Sequence, residues 1–453
     1  MAMPQHSRMK LALLMTGTGT HIASWRMAGA PVGRATDVGW FAEVARKAEQ
    51  ACYDMLFIAD SLYVNDHPTG MELRHPRHAH LSLEPVTLLA ALAMVTDRIG
   101  LAATISTTYN APYGVARALA SLDHISRGRA GWNVVTSQSD LEARNHGVDL
   151  HAGHAERYAR AGAFVDVVKG LWDSWEEDAV LGDQTAGVAV DPGRFHRLDH
   201  RGDFFSVAGP LNVPRPPQGH PLVIQAGSSG PGQALAASSA DVVFTAQEDK
   251  ANARRFYAGM KDQAAAAGRD PDQLVVMPGV MAVVAETQGE AEDRFASLQS
   301  LIHPKAGVAL LSNLLGDIDL SNLDVDGPMP AIDQTNASKS RLEMMHRMGI
   351  TQGMTVRQAY EALAPGRGHL TLVGSARDVA DTLCDWHADG AADGFMLVPA
   401  VVPYAEDEFA KRVIPLLRQR GVSQSEYGSG TLRQMLGVAT PANRFRCREN
   451  AAT

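Results

Sequence analysis

Short apolar runs alternating with amphipathic segments constrain this chain more than any other feature. Residues 9–15 form an apolar run ending in the polar, Gly-rich stretch 16–20. Residues 38–52 then place Trp40, Phe41, Val44, Ala45 and Ala48 at helical spacing, and 55–59 is a second compact apolar run that ends at Asp60. A strand that is apolar at every position is usually buried on both faces, as in a parallel sheet. The alternation recurs. Helical patterns at 85–96, 113–125, 154–175, 252–267 and 376–388 separate apolar runs at 99–105, 130–135, 221–225, 242–246, 274–285 and 394–398. Strands interleaved with helices predict an α/β fold, and eight such strands favour a closed (β/α)8 TIM barrel over an open sheet. The 453 residues then make one barrel domain, 1–453, with insertions.

Two stretches break the pattern. Residues 178–217, rich in Gly, Pro, Asp and His, predict an excursion with a small antiparallel hairpin. Residues 287–369 form a longer insertion before the final helix and strand. Long excursions in compact domains commonly serve as functional covers, which makes this one a candidate active-site lid. Residues 421–453 read as an extended C-terminal tail.

Composition removes several classes of function. With 41 Lys+Arg against 50 Asp+Glu the chain is net acidic at −9, contrary to what nucleic-acid binding wants. Apolar runs such as 88–95 are far shorter than the roughly 20 residues a bilayer requires, and residues 1–10 lack the apolar core of a signal peptide. Cys52, Cys384 and Cys447 are too scattered for a CxxC unit and point to a reduced, cytoplasmic setting. His75, His78 and His80, interleaved with Pro76 and Arg77, read as a solvated loop, so no metal site is expected.

In a parallel barrel the active site gathers at the C-terminal ends of the strands. Here those ends carry Asp60, Ser106 to Tyr109, Thr136 to Ser139, Gly227 to Ser229 and Thr245 to Gln247. Hydroxyl and amide groups dominate. The paired carboxylates of a glycosidase are missing. Gly227-Ser228-Ser229-Gly230 sits between a strand and a helix opening at Pro231, where free N–H groups and two hydroxyls suit a phosphate; a plain capped turn fits the same residues. The sequence also fits a nucleophile elbow, but no later Asp and His fall at strand ends. His154 and Tyr158, at i and i+4, share one helical face and suit either a ligand or a solvated first turn. Phe57 inside the second strand reads equally as a wall for a flat ring and as core.

Taken together, Ser106-Thr-Thr-Tyr109, Leu122-Asp-His-Ile-Ser126, Gly128-Arg-Ala-Gly-Trp-Asn-Val-Val-Thr-Ser137, His154-Ala-Glu-Arg-Tyr158, Gln225-Ala-Gly-Ser-Ser229 and Asp241-Val-Val-Phe-Thr-Ala-Gln247 resemble the bacterial-luciferase-like flavin monooxygenases. More narrowly, they resemble the branch acting on nitrilotriacetate, EDTA and dibenzothiophene sulfone. The resemblance runs over nearly the whole chain. It implies a luciferase-like barrel that uses FMN as FMNH2, supplied by a separate NAD(P)H:flavin reductase. It implies a small N- or S-containing substrate oxygenated by O2, with C–N or C–S cleavage, and a homodimer or homotetramer. A deazaflavin-dependent hydride transfer on the same fold is the alternative. Carried over by position, Asp60 and Ser106 face the flavin ring or ribityl chain with Asn133 nearby. His154, Tyr158, Ser228 and Ser229 hold the phosphate, and His21 and Phe57 face flavin or substrate. Gly230-Pro231 stands where the family usually has Glu after the serine pair, and His146 where it commonly has an aromatic residue.

Overall fold

The computed structural model describes residues 8–64, 81–227, 229–315, 318–330 and 345–449. The histidine cluster at 75–80 and Ser228 lie outside the described residues. Eight parallel strands close into a barrel: β1 (Lys10–Leu14), β2 (Met55–Ile58), β3 (Gly100–Ser106), β4 (Ala130–Val135), β5 (Leu222–Ala226), β6 (Val242–Thr245), β7 (Val275–Ala285) and β8 (Gly394–Leu397). The order runs β6-β5-β4-β3-β2-β1-β8-β7, and β6 pairs with β7 to complete the ring. These are the eight apolar runs of the sequence, and their two-sided burial is the physical reason they are apolar throughout.

One side of each strand fills the barrel. Met55, Ala102, Ile224, Met277 and Met396 pack there with Phe57. The other side meets the helices: Trp132 and Val134 of β4, for example, pack on Phe164 and Val168 of the helix His154–Trp172.

Of the extended tail expected over 421–453, the described residues 421–449 fold instead onto the barrel. The segment carries short helices, Leu432–Leu436 and Arg444–Glu449, and the first of them plugs the N-terminal end of the barrel with Leu432, Met435 and Leu436. Gly100 at the start of β3 makes room for the plug, since a Cβ there would lie 2.6 Å from Leu432 Cδ1. The helix is only five residues long, so its apolar pattern is too short to be read as a helix from sequence.

Residues 178–217 hold two small antiparallel pairs rather than one: Val180–Asp183 with Val188–Val190, and His200–Arg201 with Ser206–Val207. Within 287–369 the described residues form helices Gln288–Ser300, Pro304–Leu314 and Val356–Leu363. These build a second apolar core, which includes Leu310, Leu311 and Tyr360. It joins the barrel at Ile22, Met281, Val283 and Val401, all on the C-terminal side. A further strand, Leu370–Ser375, pairs in parallel with the outer half of β7 and ties the insertion to it. That strand is half exposed, so it lacks the continuous apolar run that marks the other eight.

Candidate active site at the barrel mouth

The C-terminal strand ends bring together residues from separate parts of the chain. Phe57 of β2 is buried and tilts against Phe244 of β6, with centroids 5.8 Å apart. Phe244 in turn stacks on His369 at 5.1 Å and 17°. Gly368 faces the end of β6, its Cβ position 3.8 Å from the Ala246 methyl. The residues just before the ninth strand therefore lie over the mouth, and Phe57, Phe244 and His369 form one aromatic wall.

On β3 and β4 the wall gives way to polar groups. Asn133 is buried and donates from Nδ2 to Thr104 Oγ1 at 2.9 Å, while Thr104 donates to the Ile58 carbonyl at 2.7 Å. The Asn133 Oδ1 accepts nothing among the described residues. A buried acceptor left open in this way has a cost of about 1–3 kcal/mol, so it suits a site that a ligand N–H completes. Ser106 and Ser137 share a hydrogen bond between hydroxyls at 2.8 Å. Asp60, half-buried just past β2, has its carboxyl pushed up to about 6 by burial, opposed by the Ser61 N–H.

The phosphate residues expected from the sequence converge in part. The helix Gly230–Ser239 is capped by Ser229, whose Oγ accepts from Gly232 N at 3.3 Å, and Pro231 lies in its first turn. Tyr158 rises to the same point from the first turn of the neighbouring helix. A Cβ built on Gly232 would lie 3.0 Å from Ser229 Oγ and 3.2 Å from the Tyr158 hydroxyl. Two hydroxyls and a helix N-terminus thus surround a cradle that only glycine leaves open. His154 packs its exposed ring on Tyr158 at 4.8 Å.

His21, expected to face flavin or substrate, lies in the loop after β1 and bonds to the insertion. It is fully buried. Ala23 N–H donates to its Nδ1 at 3.1 Å, so Nε2 carries the proton and donates to Gln299 Oε1 at 2.8 Å. Gln299 Nε2 reaches the Glu361 carbonyl at 2.9 Å. Burial lowers the imidazole to about 4, so it is neutral and serves as a pin between the first barrel loop and the insertion.

The sequence reading missed one network. Tyr109 past β3 hydrogen-bonds His151 Nδ1 and stacks on His146 at 4.5 Å and 15°. Arg157 donates to His151 Nε2 at 2.8 Å and to the Ser137 carbonyl. Burial pushes the Tyr109 hydroxyl up to about 12, so it stays protonated. Glu142 completes the frame by accepting from Leu62 N at 3.2 Å and Gln138 N at 3.2 Å. Five residues spread over 109–157 carry no local spacing signal; only the adjacency of β3 and β4 brings them together.

An aromatic wall, an open amide acceptor and a hydroxyl-lined helix start fit a flat heterocycle with a phosphate tail. Residues 18–393 match the family model described as luciferase-like monooxygenase. The chain is 46% identical over 442 residues to N-acetyl-S-(2-succino)cysteine monooxygenase of Bacillus subtilis, covering 97% of this chain and 98% of that one. It is 44% identical to nitrilotriacetate monooxygenase component A of Aminobacter aminovorans, covering 97% and 99%. In structure it resembles riboflavin lyase (RcaE), solved with modified FMN and riboflavin, with a TM-score of 0.86, 30% identity and coverage of 96% and 97%. The chain belongs to the luciferase-like monooxygenase family and is a flavin-dependent monooxygenase.

Proposed function

We propose that the barrel mouth holds FMN in its reduced form, delivered by a separate NAD(P)H:flavin reductase, and oxygenates a small N- or S-containing compound with O2. One oxygen atom goes to the substrate and the other leaves as water. The cradle at Gly232 is the observation that carries this reading, because two hydroxyls and a helix N-terminus there suit a terminal phosphate. Relatedness across 97% of the chain to a component A and to a second monooxygenase favours FMN over a deazaflavin. Nitrilotriacetate and N-acetyl-S-(2-succino)cysteine, for which these relatives are named, both carry several carboxylates around the N or S atom.

The reduced cofactor supplies two electrons and the means to activate O2. The chain's residues bind and shield. Tyr158, Ser229 and the first turn of the helix Gly230–Ser239 hold the phosphate, with His154 beside them and Ser228 as a further phosphate ligand. Asn133 Oδ1 accepts a ring N–H, Ser106 and Asp60 line the ring or ribityl side, and Phe57 with Phe244 forms the apolar wall. Insertion residues 287–369 act as the lid that keeps the pocket dry, pinned to the barrel through His21 and Gln299. A homodimer or homotetramer in the cytoplasm completes the reading.

Stopped-flow mixing of the protein–FMNH2 complex with O2 tests it. Flavin reoxidation slower than for free FMNH2, lost in Tyr158→Phe and Ser229→Ala through weaker flavin retention, is the expected result. Reoxidation at the free-flavin rate in the unaltered protein would overturn FMNH2 as cofactor and direct the next test to deazaflavin binding.

A further inference from the structure

Among the described residues four arginines are buried: Arg129, Arg157, Arg215 and Arg433. Three have either a full set of acceptors or an anion beside them, although Arg215 Nε, 2.9 Å from Glu177 Oε1, makes no hydrogen bond of its own among the described residues. Arg129 spends all five N–H groups: Nε on the Ser126 carbonyl, Nη1 on Thr96 Oγ1 and the Ile99 carbonyl, Nη2 on the carbonyls of Ala93 and Thr96, all at 2.7–3.2 Å. Arg215 pairs with Asp173 and Glu177, and Arg433 with Asp241. Arg157 is the exception. Its two bonds both leave from Nη1, to the Ser137 carbonyl and His151. Its Nε is buried and bonds nothing among the described residues, and no Asp or Glu among them pairs with it.

A buried guanidinium ordinarily finds an anion or saturates its donors. The two bonds at Nη1 fix the plane of the head and leave the opposite edge, Nε–H with Nη2–H. Those two N–H groups run parallel and match the two oxygens of one carboxylate or phosphate. The position is also telling. Arg157 is anchored to Ser137, and Ser137 bonds to Ser106 at the ends of β3 and β4. The phosphate cradle, lined by the neighbouring Tyr158, sits at the start of the helix Gly230–Ser239 and has its own donors. His151 accepts from Arg157 at Nε2, so its Nδ1 carries the hydrogen toward Tyr109, which frees the Tyr109 O–H to donate elsewhere.

We propose that Arg157, through its Nε–H and Nη2–H edge, is the receptor for a carboxylate of the substrate at the barrel mouth. This rests on the reading of the mouth as a flavin and substrate site, and it deepens it by naming the substrate class. The FMN phosphate is the other source of the same chemistry, and the test separates the two.

Wild-type, Arg157→Gln and Arg157→Lys proteins are titrated with FMN and with riboflavin. Their FMN-loaded forms are then titrated with succinate, citrate and nitrilotriacetate, reading affinity and thermal shift. The expected result is a measurable affinity of the wild type for at least one of these carboxylates. Arg157→Gln weakens it by about 50-fold, the worth of a charge-assisted pair, and Arg157→Lys by about tenfold because it keeps charge and loses the fork. FMN and riboflavin affinities keep their ratio, and both variants melt near the wild type without ligand. The inference is overturned if no carboxylate binds the wild type, if Arg157→Gln binds it equally well, or if the FMN-to-riboflavin preference collapses in Arg157→Gln, which would give the fork to the flavin phosphate. Failure of the wild type to bind FMN at all would instead strike the functional reading.

Discussion

The two ends of the barrel are built to opposite rules. At the N-terminal end, buried charge is saturated. Arg433 binds both carboxylate oxygens of Asp241, which also accepts from Val223 N at 2.8 Å. Asp54 takes two bonds from Arg8 and one from Leu11 N. Asp123 accepts from Ala130 N, Gln218 N and Gln218 Nε2. The plug Leu432, Met435 and Leu436 seals this end with apolar surface. Toward the C-terminal end, Asn133 Oδ1, Gln225 Oε1 and Arg157 Nε are buried with no partner among the described residues. Buried charges are thus paired at one end while hydrogen-bonding groups stay open at the other, although Arg215 Nε and the Tyr53 hydroxyl are unpartnered among the described residues as well. The proposed flavin and substrate would supply those partners at the C-terminal face.

That contrast is breakable. The largest effect belongs to the saturated end: Arg433→Ala leaves Asp241 buried beside a lost partner and should lower unfolding free energy by about 3–5 kcal/mol. Denaturant melts would measure it, and a loss under 1 kcal/mol would refute the division. Leu432→Ala should follow at about 3 kcal/mol, the cost of a buried leucine truncated to a cavity. Flavin binding should persist in both wherever the protein remains folded.

At the mouth the signs reverse. Asn133→Ala should cost little stability, because half of the amide was already unsatisfied, yet weaken FMN measurably in fluorescence titration. Gly232→Ala, which ordinarily strengthens a helix, should leave the melting temperature unchanged or higher while reducing FMN affinity about tenfold, roughly 1.4 kcal/mol. Unchanged FMN affinity would remove the cradle from the site.

A smaller, pH-dependent effect tests a group outside both ends. Glu406 sits with Tyr53 against a small cavity, and neither its carboxyl oxygens nor the Tyr53 hydroxyl has a partner among the described residues. Burial raises the carboxyl from 4.5 to about 8. A raised folded-state value means the stability from this group is full below about pH 4.5, declines as pH rises and is lost by about pH 8. Glu406→Gln does not titrate, so its melting temperature should gain on the wild type between pH 5 and pH 8 and run parallel above that. A constant difference across this range would show that Glu406 is ionised throughout.

Much of this was legible in the residues. Eight apolar runs became eight strands because two-sided burial demands apolar side chains at every position. A turn between strand and helix at Ser229, and the i, i+4 pair of His154 and Tyr158, are local patterns that the sequence displays, and the fold brings Ser229 and Tyr158 to one point. Other features had no local signature. The resemblance set His21 against flavin or substrate, while its hydrogen bond to Gln299, 278 residues away, has no local signature. Tyr109, His151 and Arg157 are unremarkable singly and become a network only when β3 and β4 pair. The C-terminal plug was hidden because five residues are too few to show a helical period.

The sequence by itself determined the strand count, the parallel barrel and the polar character of the strand ends, since hydrophobic periodicity follows directly from which faces are buried. Only the tertiary structure decided which polar groups are satisfied. Saturation depends on partners brought in from distant segments, and no spacing rule along one chain encodes the distance between Arg157 and an acceptor.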